Sequence, residues 1–248
     1  MKKRILTLLA AVCLLSAVLS GCGGGSQNGT TGTTDQSTAN TQTEGPAARA
    51  AAGELNVGIA QDLDSSLDPH KTVKAGTREV MFNVFEGLLK PDASGNLNPA
   101  VAESYTVSED HLLYTFKLRA GVKFHNGNAC DAAAVKASLE RVMKLNSEKN
   151  NKGGRAGDVN NMLIDSITAE GNTLTIKTTE ENPILANLLC DPLWVIIDAS
   201  VETDGRTDVI GTGPYKLVKA SDEGCTVVAN NDYWNGTPKI GTIEVKTI

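Results

Sequence analysis

Residues 23–52 contain no Val, Ile, Leu, Met, Phe, Trp or Tyr, and most of the stretch is Gly, Ser, Thr, Asn, Gln and Ala. So little apolar surface cannot offset the entropy of ordering a backbone, so the stretch is expected to act as a flexible tether. Whatever folds must begin after it. Composition changes abruptly at Gly53, where Leu55, Val57 and Ile59 alternate with small or polar neighbours, the period of a half-buried strand. Hydrophobic residues make up 40% of the 248 and charged residues 21%, which is enough for residues 53–248 to build a sizeable core.

Ahead of the tether, Lys2, Lys3 and Arg4 precede an uncharged apolar stretch over residues 5–19. That stretch falls short of the roughly 20 residues a helix needs to cross the hydrocarbon core, and has the layout of a secretory signal peptide. Leu19-Ser20-Gly21-Cys22 follows. It resembles the bacterial lipobox, in which small residues admit the peptidase and the cysteine thiol takes the lipid. The resemblance implies a signal peptide over residues 1–21, a lipidated Cys22 heading a tether over 22–52, and a folded domain over 53–248. It also implies anchoring to the extracytoplasmic face of the cell membrane. An ordinary signal peptide with an incidental cysteine is the alternative.

The formal net charge is −6, and an acidic chain lacks the clustered Lys and Arg that phosphate backbones demand, so no nucleic-acid partner is expected. Cys13, Cys22, Cys130, Cys190 and Cys225 form no C-x-x-C pair, and His70, His111 and His125 are scattered. No metal site and no cofactor follow from that spacing. Three cysteines lie in the domain, so at least one thiol stays free within a chain, and the fold is expected to rest on its core rather than on a disulfide.

The apolar positions Val80, Met81, Val84, Phe85 and Leu88 recur at helical spacing, with Thr77 placed to cap the helix. Leu112, Tyr114, Phe116 and Leu118 alternate with Leu113, Thr115, Lys117 and Arg119, a half-buried strand with one mostly polar face. Asp131 is placed to cap a helix through Val135, Leu139 and Val142, and residues 144–158 read as a polar surface loop. Residues 164–168 and 173–178 flank Glu170-Gly171-Asn172 as a hairpin, and Pro183 opens a short helix through Leu189. Residues 193–197 are an apolar run of either type. Residues 215–218, 225–229 and 240–248 read as strands, giving an α/β or α+β domain.

Three stretches carry a resemblance. The first is Leu67-Asp68-Pro69-His70-Lys71 with Phe85-Glu86-Gly87-Leu88-Leu89. The second runs from Ala102-Glu103-Ser104-Tyr105 to Tyr114-Thr115-Phe116-Lys117-Leu118-Arg119-Ala120-Gly121-Val122-Lys123-Phe124-His125-Asn126-Gly127. The third is Gly211-Thr212-Gly213-Pro214-Tyr215 with Asn231-Asp232-Tyr233-Trp234-Asn235-Gly236. Their order and separation resemble the dipeptide, oligopeptide and nickel branch of ABC-importer solute-binding proteins, family 5. Ala134 departs from the family's usual acidic residue, and Ala keeps a helix intact.

The resemblance implies an α/β, class II periplasmic-binding-protein-like fold. Residues 53–248 would form the first lobe with an inserted subdomain, the second lobe being absent from this chain. It implies capture of peptides for delivery to ABC permease subunits, with nickel-chelate capture as the alternative within the family. The residues after the Asp-Pro-His motif, Val73, Lys74 and Ala75, are the implied ligand contacts. Gly211-Thr212-Gly213 does not read as a phosphate cradle, because Pro214-Tyr215 leads into a strand rather than a helix N-terminus. Leu118-Arg119-Ala120-Gly121-Val122-Lys123-Phe124 reads as a strand, a Gly-permitted turn and another strand. Arg119 is expected to pair with a carboxylate or carbonyl, and Tyr233-Trp234 to be a packed anchor. No G-x-S-x-G, H-E-x-x-H or Walker sequence occurs, so no catalytic residues are assigned. A secreted hydrolase and a structural lipoprotein are the readings from other classes.

Overall fold

A computed structural model describes residues 52–71, 74–147, 155–203 and 205–248. Two cores organise them. The first is built on an antiparallel sheet of β4 (Ala102–Val107), β5 (Leu113–Leu118), β6 (Ile164–Glu170) and β7 (Thr173–Thr178), in the order β4-β5-β7-β6. Alternation decides which face is buried: Tyr114, Phe116 and Leu118 of β5 and Leu174 and Ile176 of β7 point inward. Helix α2 (Ala132–Leu145) covers that face with Val135, Leu139 and Val142. Asp131 caps it as expected, its Oδ1 accepting the Ala134 amide at 2.9 Å.

The second core lies under a mixed sheet in the order β1-β10-β9-β8, from β1 (Glu54–Ile59), β8 (Tyr215–Ser221), β9 (Gly224–Ala229) and β10 (Thr242–Thr247). The first and last strands, β1 and β10, are parallel neighbours. Helix α1 (Ala75–Val84) packs Val80, Met81 and Val84 against Tyr215, Leu217 and Val227. A hairpin of β2 (Leu89–Pro91) and β3 (Leu97–Pro99), short helices α3 (Ala156–Asn160) and α4 (Leu185–Leu188), and a 3-10 turn over Pro192–Trp194 complete the set.

Two segments cross between the cores. Phe85 belongs to the second and Leu88 and Leu89 to the first; Trp194 and Ile196 belong to the first, Val195 and Ile197 to the second. The Ile196 amide donates to the Glu86 carbonyl at 2.8 Å, which joins the two crossings. Cys130 lies in the first core and Cys225 in the second, both as free thiols.

Four local expectations need correcting. Thr77 lies inside α1 rather than capping it, because Lys74 holds the N-cap position and the Thr77 hydroxyl instead accepts the Asp64 amide at 2.8 Å. Helix α2 continues to Leu145, and α3 begins at Ala156, so the polar stretch over 144–158 is not all loop. The segment after Gly121 makes a single bridge, Lys123 to Ala129, rather than a strand. The helix after Pro183 is only Leu185–Leu188.

Candidate functional site

The loop between β1 and α1 leads into the expected ligand contacts. Val73 lies outside the described residues. Lys74 and Ala75 are exposed and open α1. The loop is tied at its near end: the Lys74 amide donates to Asp64 Oδ2 at 2.7 Å, and the Asp64 amide to Thr77 Oγ1 at 2.8 Å. Lys74 offers no side-chain cap. Gly76 is needed here for space, since a Cβ would meet the Gln61 carbonyl at 2.8 Å.

The same loop is clamped to α2 through the Asp-Pro-His motif. Arg141 donates Nη2 to Asp68 Oδ2 at 2.6 Å and Nη1 to Asp68 Oδ1 at 3.2 Å, a two-pronged pair over a fully buried carboxylate. Burial alone would raise the Asp68 carboxyl; the hydrogen bonds and charge of Arg141 outweigh it and hold the group below the usual carboxylate range. His70 sits against Arg141 and the Val195 carbonyl, and burial pushes its imidazole down to about 4. Asn146 Nδ2 donates to the His70 carbonyl at 2.8 Å. Sequence pattern offered no signal for this pairing, because Asp68 and Arg141 are distant in the chain and each looks locally like a solvated charge.

A second polar cluster locks the crossings. Glu86 is buried and accepts from the Tyr233 hydroxyl at 2.5 Å and from Trp234 Nε1 at 2.7 Å. Burial, with Glu86 as hydrogen-bond acceptor and neighbouring charge, drives the Tyr233 phenol well above its ordinary value. The Arg119 guanidinium stacks 4.1 Å from the Trp234 ring centroid while its Nε donates to the Ala100 carbonyl at 2.8 Å. The expected carbonyl partner of Arg119 and the anchor role of Tyr233-Trp234 are both realised here.

The third contact joins the turn after Phe124 to the Gly-Thr-Gly-Pro loop. His125 Nε2 donates to the Gly213 carbonyl at 3.0 Å, and the His125 amide to the Gly211 carbonyl at 2.9 Å. Asn126 and Asn128 each donate to Asp198 Oδ2 at 2.8 Å. The glycines permit close seating on the end of α1, since a Cβ at Gly211 or Gly213 would come within 2.4 or 2.6 Å of the Val84 backbone. The loop runs on into β8, so it is a packing device and not an anion cradle. Arg155, at the start of α3, pairs with Asp158 and Asp191, and its buried Nη1 has no hydrogen-bond partner among the described residues.

The Phe85–Leu89 segment and the second and third stretches thus meet at the junction of the two cores, while the Asp-Pro-His segment is held to α2 and to Val195. Residues 96–248 match the family described as Bacterial extracellular solute-binding proteins, family 5 Middle. The nickel-binding protein NikA of Staphylococcus aureus is 30% identical over 247 residues, 98% of this chain and 41% of the relative. Its crystal structure in complex with Ni(L-His)2 superposes with a TM-score of 0.67, covering 79% of this chain and 39% of that one. The glutathione-binding protein GsiB of Pectobacterium atrosepticum is 33% identical over 187 residues, 72% of this chain and 35% of the relative. A nickel ABC transporter structure from Bacillus halodurans has a TM-score of 0.67 at 31% identity, over 79% of this chain and 39% of that one. The chain therefore spans about two fifths of the length of these relatives, and its fold is the periplasmic-binding-protein-like α/β fold they share. By motif, by fold and by direct match, the chain belongs to the family 5 bacterial extracellular solute-binding proteins.

Proposed function

We propose that the chain captures peptides outside the membrane for an ABC importer and presents them to its permease subunits, binding them without catalysis. The observation that carries this reading is the match to family 5 solute-binding proteins, whose motifs here are engaged in packing and hydrogen bonding between the two cores. The exposed opening turn of α1, with Lys74, Ala75 and the preceding Val73, is assigned as the solute contact. Helix N-termini present N–H groups that lack intrahelical partners and favour a carboxylate, and every peptide carries one. Main-chain recognition of this kind tolerates many side chains.

A second reading, capture of a nickel chelate, is favoured by the similarity to NikA. Among the described residues no cluster of three His, Cys, Asp or Glu could hold a metal ion, so this reading takes the metal already chelated. Residues 53–248 taken by themselves would offer one wall of a two-lobed site, and enclosure supplies much of such a site's affinity. Affinity weaker than micromolar is therefore expected. Amide NMR shifts at millimolar solute test the assignment. Peptides should move the Lys74, Ala75 and Gly76 signals; movement with a Ni(II)–histidine complex alone favours the second reading, and shifts confined elsewhere overturn the contact assignment.

Cys22 is assigned as the lipid anchor on the extracytoplasmic face. Metabolic labelling with a palmitate analogue should mark the chain, and Cys22→Ala should abolish the label and release protein to the medium. Equal labelling of the variant overturns the anchor.

A further inference from the structure

His70 is buried, and its two ring nitrogens are committed in opposite senses. Nε2 lies 2.9 Å from the Val195 carbonyl and Nδ1 lies 2.9 Å from Arg141 Nη1. A carbonyl only accepts and a guanidinium only donates, so the ring is neutral with its proton on Nε2. A second proton would have to sit on Nδ1, facing the Arg141 N–H: two donors and two cations at hydrogen-bond distance. Asp68 offsets part of that charge, but its oxygens already accept from Arg141, from the His70 amide at 3.0 Å and from Lys71 Nζ at 3.4 Å. The charged groups around the ring are thus Asp68 and its partner Lys71 on the same loop and Arg141 on α2; the Val195 segment brings a carbonyl.

We propose that Asp68, His70 and Arg141 form a proton-operated latch: α2 holds the loop ahead of α1 while His70 is neutral, and protonation of His70 releases it. These are positioning residues. Their effect on solute binding rests on the reading that Lys74 and Ala75 touch the solute; the latch itself does not.

Linkage sets its size. Burial holds the closed-state imidazole at about 4, against about 6.5 once the loop opens. The folded value is depressed, so the latch is fully engaged above about pH 6.5 and loosens as pH falls toward 4. From those two values the opening equilibrium rises about twentyfold between pH 7 and pH 5.

Hydrogen exchange of the whole chain at pH 7 and pH 5, corrected for intrinsic rates, reads this directly. The His70 and Lys71 amides, both hydrogen-bonded to Asp68, should exchange about twentyfold faster at pH 5 relative to the β5 and β7 amides. His70→Gln, which does not titrate, should lose that pH response. A wild-type chain with no response, or one matched by His70→Gln, overturns the latch. If His70→Gln fails to fold, Asn146→Ala leaves the ring contacts in place and should keep the response on a raised baseline; a flat profile there overturns the latch equally. Nitrogen NMR of the imidazole should show Nε2 protonated at pH 7, and the opposite tautomer overturns it outright. A responsive latch with peptide-induced shifts absent from Lys74 and Ala75 would sink only the solute-contact reading.

Discussion

The two cores solve the same problem with different means. The first is contiguous in sequence, with α2 laid across its sheet, and Phe116, Leu139, Leu174 and Ile176 are inaccessible to solvent. The second is assembled from two distant segments, residues 59–85 and 195–245, and its sheet is covered unevenly. Beside α1, Leu55, Val57, Ile59, Val227, Ile243 and Val245 line an apolar cleft of about 210 Å³. Leu55 is 40% exposed where Phe116 is 0%. The lesson is that sheet patterning alone does not close a core. A covering helix must span the whole sheet, and α1, ten residues long, spans only part.

The largest expected effect tests that contrast. Phe116→Ala should cost about 4 kcal/mol, transfer plus cavity, whereas Val57→Ala at the open cleft should cost about 1. Urea denaturation measures both, and comparable losses would break the distinction between closed and open cores. Arg141→Met probes the tie between the regions. It leaves the buried Asp68 carboxylate with only the half-exposed Lys71 ammonium at 3.4 Å as a charged partner and should cost about 3 kcal/mol at pH 7. Because the Asp68 value is depressed in the fold, the wild-type advantage is present above about pH 4 and fades as pH falls below it. An advantage that persists undiminished at pH 2 would mean that the pair is not its source.

Gly213→Ala sharpens the comparison from the second core's side. Its Cβ would strike the Val84 carbonyl, at a cost of about 2 kcal/mol by overpacking, while Gly157→Ala, with open space around it, should change little. Equal effects would show that the Gly-Thr-Gly loop is not tightly seated. Smallest is the outer face of the first sheet. Lys117 and Glu103 pair at 3.0 Å in solvent, and Lys117→Met should move stability by less than about 0.5 kcal/mol. A loss above 1 would make that face something other than a solvated surface.

What could be read from sequence follows the range of the interaction. Asp131 and the amide it caps are three residues apart, and the inward-facing Tyr114, Phe116 and Leu118 declare themselves by period. Thr77 was misleading for an instructive reason: the residue type suits an N-cap, but Asp64 reaches across the loop to the Lys74 amide and shifts the helix start. The Asp68–Arg141 pair, the Glu86–Tyr233 bond and the stacking of Arg119 on Trp234 all join distant segments. Nothing local distinguishes those charges from surface ones. The motifs marked which segments matter without saying what they touch. Of the proposed solute contacts, Lys74 and Ala75 have the exposure a contact requires, and that is as far as local pattern reaches.

The parallel pairing of β1 with β10 has a kinetic consequence. Glu54 aligns with Thr242 and Ile59 with Thr247, so nearly all of residues 53–248 lie in the loop that this pairing closes. Contacts of such separation form late, after the entropy of closure has been met by other interactions. The β4–β7 meander and α2 need no such closure and are positioned to fold first. A strand made early in synthesis must therefore wait for one made more than 180 residues later, with Leu55, Val57 and Ile59 unpaired in the interval. The stretch of residues 23–52, without Val, Ile, Leu, Met, Phe, Trp or Tyr, directly precedes it, and offers no bulky apolar side chain to extend a wrong pairing.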